Sequence, residues 1–171
     1  AIAMGALESY RTLYPQHFMQ RMRAKLGLGA AHAGDSAVID GILHLLADHA
    51  VDYPIFWRSL SHAVADANFE PVRDLFADRA RLARWLLLYE EHAALAGKAP
   101  DADLMLKNNP AIVLRNHLAE QAIRAAQQGD FSELHTLQHL LQRPCEEHPG
   151  HEARTGFPPD WAAHLSISCS S

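Results

Sequence analysis

Apolar residues recur along this chain at spacings of three and four, and the alternating stretches that half-buried strands need are nearly absent. The pattern predicts an all-α fold. A first helix runs through Leu7, Tyr10, Leu13 and Tyr14 toward Phe18, Met22 and Leu26, with a kink or restart at Pro15, and stops at Gly27 and Gly29. Asp35 or Ser36 caps a second, whose stripe is Val38, Ile39, Ile42, Leu43, Leu45 and Leu46. Asp52 opens a third with Pro54 in its first turn. A short helix near Pro71 to Phe76 leads into one from about Asp78 to Leu95, which Gly97 and Pro100 end. Residues 98–108 read as a loop with a short helix at Asp101 to Leu106.

The next stretch, from Asn109 to Leu134, carries the strongest local signals. Asn109 can accept hydrogen bonds from the free N–H groups of a first helical turn, and Pro110 loses nothing there by lacking its own. A helix is therefore predicted to begin at that pair, with Leu114, Leu118, Ala122 and Ile123 as its stripe and Ala119 and Ala126 small enough for close helix approach. Gly129 supplies its C-terminal cap, and Asp130 or Ser132 caps the following helix. That helix turns Leu134, Leu137, Leu140 and Leu141 inward and His135 and His139 outward. After Arg143 the periodicity fades, and Pro144, Pro149, Pro158 and Pro159 supply four of the nine prolines. This gives a helical domain at 1–142 and an irregular tail at 143–171, packed by Phe157 and Trp161 with at most one helical turn after Pro159. The phrase from Ala125 to Phe131 is similar to an ankyrin helix turn, but nothing echoes it about 33 residues away.

At 171 residues, 49% apolar and 20% charged, the chain is long enough for a core of its own. A net charge of −5, with Lys and Arg scattered among acids, argues against nucleic acid as a partner. No apolar run approaches the ~20 residues a bilayer span requires, so no membrane is expected. Two cysteines, Cys145 and Cys169, make no secreted disulfide framework, which favours a reducing, cytoplasmic location. The opening Ala1-Ile2-Ala3-Met4 suggests a piece of a longer protein.

Five segments, in order, resemble the C-terminal part of the selenoprotein O family, kinase-like proteins that transfer AMP. They are Met22-Arg23-Ala24-Lys25-Leu26-Gly27-Leu28; Val51-Asp52-Tyr53 with Phe56 and Arg58; Asn109 to Leu134; Pro158-Pro159-Asp160-Trp161; and Ser168-Cys169-Ser170-Ser171. The resemblance spans nearly the whole chain. It implies a helical, bundle-like part of a kinase-like C-lobe. The parent protein would use ATP with Mg²⁺ or Mn²⁺, and this segment would hold no cofactor. Its partners would be the N-terminal kinase-like region of the same protein and the parent's protein substrates.

A kinase-like transferase needs a glycine-rich loop over phosphates, a phosphate-holding lysine and metal-binding acids or amides. The sequence shows none of these motifs; Gly129-Asp130-Phe131-Ser132 holds an Asp-Phe pair, but where two helices meet. In the family the nucleotide and metal residues precede the part resembled here, so no catalytic, cofactor-binding or metal residue is carried over. Cys169 is carried over as a redox residue, because the family places a thiol or selenol third from its end. Without the resemblance Cys169 would read as an idle thiol, since reactivity needs a lowered pKa. A bridge from Cys169 to Cys145 is open but not implied.

The run from Cys145 to Glu152 gathers a thiol, His148, His151 and three carboxylates, all ligands zinc accepts. Its spacing is not an established zinc pattern, and a solvated polar loop is the better reading. Arg115 and Asn116 interrupt the apolar stripe, and Arg115 suits either a phosphate or acid of a neighbouring lobe or a salt bridge within this domain, the latter preferred. Asp52 reads as a helix cap. Two functional readings stand: the C-terminal helical segment of a protein adenylyltransferase, completing the C-lobe and carrying a redox-responsive end, or an independent helical module that binds a protein partner. Both expect an exposed apolar face.

Overall fold

A computed structural model describes residues 2–165. Helices and turns make up that part of the chain, and no strand occurs among the described residues. The helices are α1 (Ile2–Lys25), α2 (Asp35–Asp48), α3 (Tyr53–Asp66), α4 (Glu70–Arg73), α5 (Arg79–Leu95), α6 (Ala102–Asn108), α7 (Asn116–Gln127), α8 (Ser132–Leu141) and α9 (Glu152–Thr155), followed by a 3-10 turn at Asp160–His164. They fall into two compact units, Ala1–Asn109 and Pro110–Ser171. The change of regularity at 142/143 thus lies inside the second unit.

In the first unit α1 packs on α2 and α6, α2 on α5, and α3 on α4 and α6. Three of these helices begin as their sequences dictate. The carboxylates of Asp52, Asp78 and Asp101 accept the N–H groups of Ile55, Arg81 and Leu104 at 3.0, 2.9 and 3.0 Å. Those backbone donors hold Asp78 and Asp101 below the usual carboxylate range. Pro15 does not break α1. It is exposed, so water can satisfy the carbonyl it orphans. Gly27 ends α1 at φ +66°, and a Cβ there would stand 2.7 Å from the Asp101 nitrogen, so glycine alone lets the start of α6 dock on this corner.

The core joins Phe56, Trp57, Leu60, Trp85, Tyr89, Met105 and the α2 stripe. Trp85 and Tyr89 stack at 5.3 Å, with the Phe56 edge against Trp85. Their polar ends are satisfied. Trp85 Nε1 donates to the Val38 carbonyl at 2.9 Å and the Tyr89 hydroxyl to that of Leu26 at 2.5 Å, and burial pushes the Tyr89 pKa up.

Two predicted helix starts are corrected. The N-cap of α2 is Gly34 at φ +98°, and neither Asp35 nor Ser36 caps it. Asp35 is drawn instead into the buried cluster described below. Nor does a helix begin at Asn109: that residue closes α6 in extended conformation, residues 110–115 run on without helix, and α7 starts at Asn116. The extended stretch is fixed because Ala111 and Ile112 donate to the Pro144 carbonyl at 2.7 and 3.2 Å while Ile112 is buried. Leu114 is consequently exposed.

In the second unit α7 packs on α8 through Leu118, Ala122 and Leu137, with Leu141 alongside. Gly129 sits at φ +84° as expected of the cap, and Asp130 accepts the Ser132 N–H at 2.9 Å. Leu140 is buried as predicted, whereas Leu134 and Ile123 are exposed; His135 and His139 face outward. The tail is held by Arg154, which donates to both Glu133 oxygens at 2.9 and 2.6 Å. Phe157 is 62% exposed and is not an anchor, whereas Trp161, 42% exposed, packs one edge against His117.

Candidate functional site

Within the first unit, sequence-distant residues meet at Asn109, which is fully buried. Its Oδ1 accepts from Lys25 Nζ at 3.1 Å, and its Nδ2 donates to the Lys25 carbonyl and to Ser61 Oγ, both at 2.9 Å. Arg58 donates to the Asn109 carbonyl at 2.8 Å and to that of Leu106 at 3.0 Å. The Lys25 ammonium also lies over the rings of Tyr53 and Trp57, at 5.7 and 5.5 Å. Burial raises the Tyr53 pKa. Lys25 thus serves an amide oxygen and two ring faces, and Arg58 two backbone carbonyls, which ties α1, α3 and the end of α6 together. The arrangement is a structural hub.

A second cluster centres on the buried carboxylate of Asp35. It contacts His92 Nε2 at 2.7 Å and accepts the His32 N–H at 3.1 Å, with Arg23 at 3.4 Å. A cavity of about 190 Å³ lies beside it, walled by the glycine- and alanine-rich loop from Gly27 to His32 and by Ala96, Lys98 and Ala99. The sequence reading missed this pairing. The available signal was His92 itself, which continues the spacing of Leu82, Trp85 and Tyr89 on the buried stripe of α5.

In the second unit His117 is buried at the start of α7, its ring edge-on to Trp161 at 6.1 Å. Burial first, and the charge of Arg115 second, hold its pKa below 6.5. An open groove of about 760 Å³ runs past His117, Asp130, Glu133, Arg154, Phe157 and Trp161. Arg115 occupies the N-cap position of α7 without a side-chain cap bond and borders a neighbouring groove with Pro158, Pro159 and Asp160.

Cys169 lies outside the described residues. Cys145 is half-buried with a free thiol. The residues around it do not assemble as ligands: His148 Nε2 lies 3.0 Å from the Arg143 carbonyl, and Glu152 accepts the Gly150 N–H at 2.8 Å. Among the described residues no three His, Cys, Asp or Glu side chains converge. With Asp52, Asp78 and Asp101 capping helices and Asp35 enclosed, these residues do not fit a metal–nucleotide site. No described helix is long and apolar enough to cross a membrane.

The described residues are thus helical and turn structure around a buried polar hub. Residues 3–142 match the family described as protein adenylyltransferase SelO, and the chain belongs to that family. Among its relatives is the protein nucleotidyltransferase YdiU of Variovorax paradoxus, 58% identical over 170 residues, a match that covers 99% of this chain and 34% of the relative. The proteins of the same name from Albidiferax ferrireducens and Bordetella avium are 51% and 48% identical over 174 and 169 residues, covering 99% and 98% of this chain and 35% and 34% of theirs. The chain spans about a third of the length of these curated relatives.

Proposed function

We propose that this chain serves as the helical C-terminal part of a protein adenylyltransferase. The observation that carries the reading is the match itself: almost all of this chain aligns with about a third of proteins named nucleotidyltransferases. In the whole protein AMP would pass from ATP to a hydroxyl side chain of a protein substrate, with pyrophosphate leaving and Mg²⁺ or Mn²⁺ as the cation. The residues described here would take no part in that transfer. Their role is to complete the kinase-like C-lobe, to which the hub of Lys25, Arg58 and Asn109 lends rigidity, and to present Cys169 as a redox contact to the rest of the protein.

Incubation of the chain with ATP labelled on its α-phosphate, either cation and a generic protein acceptor tests this. Background labelling is expected. Robust incorporation that survives repurification would refute the supporting role, and a parent reading frame without a kinase-like region would refute the parentage.

A further inference from the structure

Along α1, Leu7, Tyr14, Phe18 and Met22 follow one another at spacings of seven, four and four residues, which places them on one helical face. The C-terminal half of that face is used. Met22 is buried in the core of the first unit and Phe18 packs against it. Among the described residues its N-terminal half is uncovered: Leu7 is exposed, and Tyr10 and Tyr14 are 60% and 52% exposed. Tyr10 stacks on Tyr14 at 5.3 Å and Tyr14 on Phe18 at 6.0 Å, so the exposed rings extend the packed ones as one aromatic strip. Met4 is exposed one turn before Leu7.

A strip of this kind standing in water forgoes the burial its side chains could gain, at about 25 cal/mol per Å² of apolar surface. The relatives indicate what covers it. About two thirds of their length lies outside the matched stretch. A segment joined directly to the start of α1 would reach the strip as an intramolecular partner, with no loss of translational freedom to offset.

We propose that the face formed by Leu7, Tyr10 and Tyr14 is the seam on which the region preceding this chain in the longer protein packs, extending the first unit's core across Phe18. The inference rests on the parentage proposed above. The occupant offers a mainly apolar surface, because the strip itself presents two phenol rings and a leucine, and the two charges between Leu7 and Tyr14, Glu8 and Arg11, are of opposite sign.

The test uses the full product of the parent reading frame, with a photo-activatable benzophenone side chain placed at Tyr10, at Tyr14 or, as a control, at Leu95, which is exposed at the end of α5. After irradiation, peptide mapping identifies the partner, and mixing isotope-labelled with unlabelled protein separates intramolecular from intermolecular products. The expected dominant product from Tyr10 and Tyr14, absent from Leu95, joins them to peptides preceding residue 1 in the same molecule. Products confined to residues 1–171, products between two copies, or none at all would overturn the seam. A reading frame that encodes no upstream kinase-like region would instead remove the parentage, so the two failures are told apart.

Discussion

Replacing Asn109 with alanine distinguishes a hub from a helix cap. The side chain makes two hydrogen bonds between neutral groups, to the Lys25 carbonyl and Ser61 Oγ, and one with the Lys25 ammonium. Neutral bonds contribute about 1 kcal/mol each and a charge-assisted one about 1.5 to 3, so Asn109→Ala should destabilise the first unit by about 3 to 5 kcal/mol. Were the residue merely an N-cap, the loss would be about 1 kcal/mol. Asn108→Ala is the control, because the Asn108 amide donates only to the Leu104 carbonyl of its own helix, at 2.8 Å. It should cost under about 1 kcal/mol. Asn109→Asp keeps an acceptor facing Lys25 and loses both donors, so its loss should fall between the two. Denaturant melts followed by tryptophan fluorescence report on this unit through Trp57 and Trp85, both buried within it. A loss of 1 kcal/mol or less for Asn109→Ala would refute the hub.

Leu118 is buried between α7 and α8, so Leu118→Ala should cost about 2 to 5 kcal/mol in denaturant melts of the second unit followed by helical circular dichroism, while the outward-facing His139→Ala should stay within about 0.5. Equal losses would show the faces to be misassigned. His117 titrates below 6.5 in the fold, so the folded state favours its neutral form; its contribution is complete above 6.5 and declines as the pH falls through that value toward the lower folded one. Melts of the second unit should therefore weaken on acidification below about 6.5, and His117→Gln should flatten that window; an unchanged slope would sink the assignment. The pair of Glu133 with Arg154 acts at lower pH, since Glu133 is held below 4.5 chiefly by its bonds to Arg154. Cys169→Ser should leave the melting temperature unchanged while abolishing an oxidant-induced disulfide in the full-length protein, as non-reducing electrophoresis with peptide mapping would show; a stable bridge from Cys145 to Cys169 would defeat this role.

The elements that could be read from the sequence are those whose signals are local. Asp52 with Pro54, and Asp78 before the stripe of Leu82, Trp85, Leu86 and Tyr89, carry both cap and burial pattern within one or two turns, and α3 and α5 begin where these residues place them. Gly27, Gly97 and Gly129 adopt the positive φ that their positions after helices imply. Asp35 and Asn109 were misread for one shared reason. Each is a good cap residue in a good cap context, and each is claimed by partners remote in sequence. Asp35 is held by Arg23 and His92, 12 and 57 residues away, and Asn109 by Ser61 and Lys25, 48 and 84 residues away. Local propensity contributes about 1 kcal/mol to such a choice, and several buried hydrogen bonds outweigh it.

Met22 and Lys25 of the first resembling segment, Tyr53 and Arg58 of the second, and Asn109 of the third meet in one place, where thioether, ammonium, guanidinium and amide are turned toward one another and toward backbone carbonyls. Residues so enclosed have little room to vary without leaving a buried charge or carbonyl unpaired, which costs more than a surface change. A pattern built from them is therefore recognisable for structural reasons alone. It identifies the fold and the family through packing. The residues of the hub are therefore distinct from those the two proposals above invoke, Cys169 as a redox contact and the exposed aromatic face of α1 as a seam.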